Sequence, residues 1–385
     1  MKKRLLLLTA IMVVMSVLAS CSQPSSNSNT IKIGVNYELS GGVATYGQSS
    51  VDGIELAVEQ INKAGGINGK QIELVKYDNK SEEAEATTLA TRLMTQDKVV
   101  AVLGPATSGA FKATIPVATQ NKIPVASGSA TADDVTVDSN GVKEYAFRIC
   151  FNDSYQGTGM ANYALNNLGL KKAVIIMDSS SDYGKGLAEN FKKTFEANGG
   201  TIVAQEAYVR GDTDFNAILT SIKGKDFDVI FIPGYYEEAG LIIKQARDQG
   251  IDAPILGADG FDSPDLKNLA GAEALNNVYF SNHYSSLDQD PVVQEFIELF
   301  KSKYNKQPDA FNALGYDLAN FVIDGIKRAE SLTGEAVKNA LAATTNFNGV
   351  TGSFSVDENH NPVKAIVVIQ LKDGEQYSSE RLSLE

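Results

Sequence analysis

The chain has 385 residues, is 43% hydrophobic and carries a formal charge of -13, to which the three cations at positions 2–4 contribute +3. The remainder therefore carries -16, and no Lys/Arg cluster offers a phosphate-binding patch, which argues against nucleic acid as a partner. One cysteine and two histidines beyond residue 21 are too few for a structural zinc site, and the absence of tryptophan removes the usual platform for a sugar.

At the N-terminus, Lys2, Lys3 and Arg4 precede an apolar run from Leu5 to Leu18 that only Thr9 and Ser16 interrupt. Residues 1–20 read as a secretory signal peptide, since the run is short for a bilayer span. Leu18-Ala19-Ser20-Cys21 resembles a bacterial lipobox, which implies that Cys21 is diacylated and becomes the new N-terminus. Two acyl chains anchor a protein stably where one is marginal. Residues 21–30 then comprise the lipidated cysteine and a Ser/Asn-rich tether that cannot bury apolar surface. Its reach is roughly 15–18 Å. Only Cys150 remains as a free thiol, so no intramolecular disulfide forms. It follows the alternating Tyr145, Phe147 and Ile149 and reads as a small core residue.

From Ile31 onward strand-like and helix-like segments alternate. Ile31 to Val35 alternates as a strand does, and Ile54, Ala57, Val58 and Ile61 mark a helix that stops at Gly65-Gly66. Gln71 to Tyr77 predicts a second strand, and Ala86 to Met94 a second helical face. Val99 to Leu103 is a continuous apolar run, as expected of a strand buried on both sides. Ile115 to Ala118 lies on the next helix and Ile123 to Ala126 on the next strand. The pattern restarts after residue 150. Strands are expected at Ala173–Met177, Ile202–Val209, Val229–Ile232, Pro254–Leu256, Val278–Phe280 and Ile366–Leu371. Helices are expected along Leu187–Phe195, Leu241–Arg247, Val292–Phe300 and Leu314–Ile326. Such alternation predicts parallel sheets covered by helices, and the count suits two similar lobes. Ligands in such sheets sit beyond the carboxyl ends of the strands.

Catalytic signatures are absent: there is no G-x-S-x-G, no phosphate-binding G-x-x-x-x-G-K and no G-x-G-x-x-G. His283 and His360 neighbour no nucleophile and read as surface residues. Asp178, Ser180, Asp182 and Glu189 approach a calcium-loop spacing, but Gly184 falls one place late. Neither an enzyme activity, a cofactor nor a metal is expected.

The loops after the apolar runs carry a resemblance. Leu39-Ser40-Gly41 to Tyr46-Gly47, Ala64-Gly65-Gly66-Ile67-Asn68-Gly69, Gly104-Pro105-Ala106-Thr107-Ser108 and Ser127-Gly128-Ser129-Ala130-Thr131 occur in order. Asp182-Tyr183-Gly184-Lys185-Gly186, Gly211-Asp212-Thr213-Asp214-Phe215, Gly234-Tyr235 and Gly257-Ala258-Asp259-Gly260 follow. Together they resemble the leucine/isoleucine/valine-binding proteins of type I periplasmic-binding fold, over Ile31 to about Leu371. The residues are chemically apt in their own right. An α-amino acid presents a carboxylate and an ammonium, and buried charges must be paired. Ser108 and the Ser129-Ala130-Thr131 loop offer hydroxyls and backbone donors, although helix capping is the alternative for Ser108 and Thr131. The resemblance implies that Ser108, Ser129, Ala130 and Thr131 hold the ligand's carboxylate and amine and that Asp259 neutralises the ammonium. Asp259 departs from the family pattern, which carries Glu there; its other reading is a turn former. Tyr46, Ala106, Tyr183, Tyr235 and Phe311 match positions lining the side-chain pocket, where rigid aromatic walls suit a branched aliphatic group.

The resemblance implies an α/β fold of two Rossmann-like lobes joined by three crossovers. Lobe one is expected at 31–150 plus 283–350 and lobe two at 151–282 plus 351–385. It also implies a monomer that captures a branched-chain amino acid and delivers it to ABC permease subunits. Its place is extracytoplasmic: lipid-anchored on the outer face of a Gram-positive membrane, or periplasmic in a Gram-negative cell. The rival readings are a binding protein for another small amino acid or an amide, and an exported sensory module.

Overall fold

β1 (Thr30–Tyr37) begins where the polar tract ends, and five of its eight side chains in a row toward the carboxyl end are buried. In the computed structural model of the chain, residues 29–382 are described. The signal peptide, Cys21 and nearly all of the tether lie outside the described residues.

Two sheets organise the chain. The first comprises β1, β2 (Gln71–Asp78), β3 (Val102–Leu103), β4 (Val125–Ser127) and β5 (Ala146–Arg148) in the order β2-β1-β3-β4-β5, all parallel. The second comprises β6 (Lys172–Asp178), β7 (Thr201–Tyr208), β8 (Val229–Phe231), β9 (Ile255–Gly257), β10 (Val278–Asn282), β11 (Ile366–Lys372) and β12 (Glu375–Leu382). Its order is β12-β11-β10-β9-β8-β6-β7. The five strands β6 to β10 repeat the parallel order of the first sheet, and β11 and β12 are added antiparallel at one edge. The expected parallel lobes are thus observed, with one sheet mixed.

A helix follows every parallel strand except β4. In the first half these are α1 (Ala44–Lys63), α2 (Glu83–Arg92) and α3 (Ser108–Asn121). In the second they are α4 (Asp153–Asn162), α5 (Asp182–Ala197), α6 (Asn216–Lys223), α7 (Tyr236–Asp248) and α8 (Pro264–Ala270). The chain then leaves the second sheet after Asn282 and builds α9 (Pro291–Tyr304), α10 (Ala310–Arg328) and α11 (Gly334–Ala342) before returning at Ile366. α10 packs along α1. The approach is close enough that a Cβ on Gly53 would stand 2.0 Å from the Asn312 carbonyl oxygen, and one on Gly315 would stand 2.0 Å from that of Ser50. Glycine at both positions is therefore a packing requirement.

The apolar run at 99–103 gives a shorter strand than its length suggests. Only Val102 and Leu103 are strand, yet Val100 N–H donates to Lys32 and Ala101 accepts from Gly34, so the run still lies along β1. The two histidines correct the surface reading: His283 is 4% and His360 9% exposed. His360 stacks on Phe147 at 4.2 Å. Cys150 is buried, and burial pushes its thiol up to about 12, which makes it an inert core residue.

Candidate functional site

In both sheets the strand order reverses between the first and third strands, which run parallel, and such switch points open a crevice beyond the strand ends. The loops that follow β1, β3 and β4 face those that follow β6, β8 and β9. Between them lies a pocket lined by Tyr46, Ala106, Thr107, Ser108, Ser129, Tyr183, Tyr235, Asp259, Gly260 and Phe311, with only about 10 Å³ of open cavity. That is below the roughly 300–1,000 Å³ of drug-sized sites. Larger depressions occur, one of them bordering the loop after β9 at Phe261, Asp262 and Ser263, but they take in none of these ten residues.

Eight of the ten residues expected to bind ligand form these walls. Ala130 and Thr131 do not, which corrects the expected role of the Ala130 backbone. Its N–H donates to Ser127 Oγ at 3.1 Å, and its carbonyl accepts from Arg148 and Cys150. Thr131 is fully buried, and its hydroxyl has no hydrogen-bond partner although it lies against the Asp153 carboxyl.

At one end of the pocket, α3 begins at Ser108, whose Oγ accepts from Ala132 N–H at 3.0 Å. The preceding turn is held by Glu38, a residue with no exposed surface at the end of β1. Its carboxylate accepts from Ala106 N–H (3.0 Å), Thr107 N–H (3.1 Å) and Thr107 Oγ (2.9 Å). Ser129 Oγ donates to the Ala106 carbonyl at 2.9 Å and ties the two loops together. The first turn of a helix leaves N–H groups unpaired and carries a partial positive charge, so this end suits an anion.

At the other end stands Asp259, 4% exposed, on a short 3-10 turn after β9. Its Oδ1 accepts from Tyr183 Oη at 2.7 Å and Gln156 Nε2 at 3.1 Å. Its Oδ2 faces His283 Nε2 at 3.4 Å. Burial raises the phenols of Tyr46, Tyr183 and Tyr235 above their ordinary range, so they stay neutral donors. Asp259 is the only charged side chain among the walls.

Aromatic rings fill the space between. Tyr46 stacks on Phe311 at 4.2 Å and Tyr183 on Tyr235 at 5.0 Å. Tyr46 Oη donates to the Gly260 carbonyl at 2.5 Å and accepts from Tyr236 N–H at 3.3 Å, which joins the two sides directly. Thr45 and Ser263 hydroxyls meet at 2.9 Å, and Lys112 of α3 pairs with Asp182 of α5 at 2.8 Å. These contacts describe a cleft that is shut. Asp182 is engaged by Lys112 and Lys185, and among the described residues no cluster of acids, His and Cys could hold a metal ion.

Sequence reasoning missed Glu38, Gln156 and His283. Glu38 and His283 directly follow the carboxyl ends of β1 and β10, the positions where ligand loops start, so that signal was present. Gln156 sits inside α4 and has none.

Comparison with known proteins agrees with this geometry. A family model described as periplasmic binding protein matches residues 30–376. The structure of the branched-chain amino acid transporter substrate-binding protein LivJ from Streptococcus pneumoniae, in complex with isoleucine, is 45% identical. It aligns over 92% of this chain and 99% of its own, with a TM-score of 0.87. The leucine-binding protein LivK from Thermotoga maritima is 36% identical over 92% and 98%, with a TM-score of 0.84. A leucine-, isoleucine-, valine-, threonine- and alanine-binding protein from Pseudomonas aeruginosa is 30% identical over 93% of this chain and 94% of its own.

Proposed function

The chain belongs to the periplasmic binding protein family, and we propose that it captures a branched-chain amino acid between its two sheets for an ABC importer. One observation carries the reading: a small shut pocket with a single carboxylate at one end, a helix start at the other and aromatic rings between. A zwitterion matches the two ends. Its ammonium meets Asp259, and its carboxylate meets Ser108, Ser129 and the first turn of α3. The absence of a second charge in the walls favours an uncharged side chain, which Tyr46, Ala106, Tyr183, Tyr235 and Phe311 enclose. In this reading lobe one comprises 31–150 and 283–350, and lobe two 151–282 and 351–385. Binding and hinge closure then occur together, and the closed monomer presents the ligand to permease subunits in the membrane.

Calorimetric titration of the twenty amino acids into the unlipidated chain from Ser22 onward tests the ligand. Leucine, isoleucine and valine are expected to bind most tightly. Saturating leucine should raise the melting temperature, since a ligand that binds only the folded state stabilises it. It should also reduce the radius of gyration. A scattering curve that does not change at demonstrated saturation rules out closure.

The family places the chain outside the cytoplasm, and lipidation at Cys21 supplies the anchor. Cys21→Ala removes the thiol on which the thioether forms. The variant should no longer incorporate radioactive palmitate and should leave the membrane fraction or remain unprocessed. Continued labelling would rule out this assignment.

A further inference from the structure

His283 stands where three passages of the chain meet. It is the first residue beyond β10, where the chain leaves the second sheet. Its ring stacks on Phe151 with 3.7 Å between centroids, and Phe151 lies on the segment by which the chain leaves the first sheet. Lys364, on the last passage back toward β11, acts on the ring through its charge. Asp259 and Lys364 are the charged groups that face it; Asp262 is one step further, hydrogen-bonded to Asn282 at 2.8 Å. Nδ1 of His283 is buried without a partner.

The acceptor capacity of Asp259 is nearly filled. A carboxylate offers about four lone-pair directions. Tyr183 and Gln156 occupy Oδ1, so His283 and the ligand's ammonium must share Oδ2. A neutral imidazole with hydrogen on Nε2 shares that oxygen through one long bond. An imidazolium would pair with Asp259 where water does not screen it and would place a second cation beside the ammonium. On the amino-acid reading given above, we infer that His283 positions the Asp259 carboxylate and that protonation of His283 and binding of the ammonium exclude one another, so that acid releases the ligand. Burial holds the imidazole below its ordinary range while Asp259 opposes the shift. The neutral form is the binding form. Affinity is therefore complete above the His283 titration and falls as pH drops through it.

The chain has two histidines, so the variant His360→Gln leaves one imidazole to follow by proton NMR. Without ligand the His283 Cε1 proton should titrate below the ordinary imidazole range; with saturating leucine it should stay at its neutral position. By calorimetry the leucine Kd should rise about threefold to thirtyfold from pH 7.5 to 5.0, as expected for a group titrating at or below about 6.5. His283→Gln keeps a side-chain donor and should flatten that profile. An imidazole signal that does not move without ligand, or has the same midpoint with leucine, overturns the inference. So does a pH profile that His283→Gln leaves unchanged. Those results, with leucine still bound at pH 7.5, remove this inference alone. No leucine binding at pH 7.5 removes the amino-acid reading and this inference with it.

Discussion

Asp259→Ala should lower leucine affinity by roughly thirtyfold to several thousandfold, the equivalent of the about 2–5 kcal/mol lost when one partner of a desolvated charge pair is removed. Two effects add up in the shut cleft. The ligand's ammonium loses its only charged partner among the walls. Tyr183 Oη and Gln156 Nε2 also lose the acceptor that both now use. Neither effect weighs heavily on the empty open protein, where water satisfies the same groups, so its melting temperature should change little. Asp259→Asn keeps the shape and the acceptor for Tyr183 but removes the charge, so most of the affinity should still go. Asp259→Glu keeps the charge but must fit an extra methylene into a pocket already bounded by four aromatic rings. It should lose less than alanine does. Titrations with leucine beside melts without ligand separate the roles. If the residue were only a turn former, Asp259→Ala would lower the stability of the empty protein and leave binding almost intact. That result would move the search to another countercharge.

The sheets were legible because burial on both faces leaves a plain mark in sequence. β6 and β8 are nearly unbroken apolar runs, and their side chains are buried accordingly, while β1 alternates along its first half. β12 was not legible. Its eight residues lie at the sheet edge, six of them exposed, so burial imposes no pattern on Glu375–Leu382. Helix α4 was missed for a related reason. Its Gly, Thr and Ser residues give almost no apolar stripe, because its inward face carries Asp153 and Gln156. In the site, the loop residues that form the walls followed from strand ends and from the family resemblance. The polar groups behind them did not. His283 read as a surface residue because it neighbours no nucleophile in the sequence. Its burial depends on Phe151 and Asp259, which are 132 and 24 positions away and come to it only through the fold. Ala130 failed differently: the resemblance marked the right loop, but Ser127, Arg148 and Cys150 use its backbone groups.

Glu38→Ala should show the opposite signature, a large loss of stability in the empty protein. Glu38 has no exposed surface and lies in the first half of the molecule rather than across the cleft. Opening the cleft therefore brings its partners no water. Three donors end on its carboxylate, two from the backbone turn at Ala106 and Thr107 and one from the Thr107 hydroxyl. A buried hydrogen bond to a charged group contributes about 1.5–3 kcal/mol, and donors left unpaired cost more than the bond itself contributed. Water entering the space left by the side chain would recover part of this, so the net loss should be about 3–5 kcal/mol. For a chain of this size the melting temperature should fall by roughly 4–7 °C. Glu38→Gln retains one acceptor oxygen but turns an amide donor toward N–H groups, and it should lie between alanine and the native residue. Leucine should still bind the alanine variant at low temperature, though more weakly, because Ser108 follows directly on the loosened turn. Thermal melts without ligand decide the point. A melting temperature for Glu38→Ala within about 2 °C of the native protein would mean that the turn before α3 holds its shape without the carboxylate. The backbone of residues 104–108 would then be fixed by packing alone.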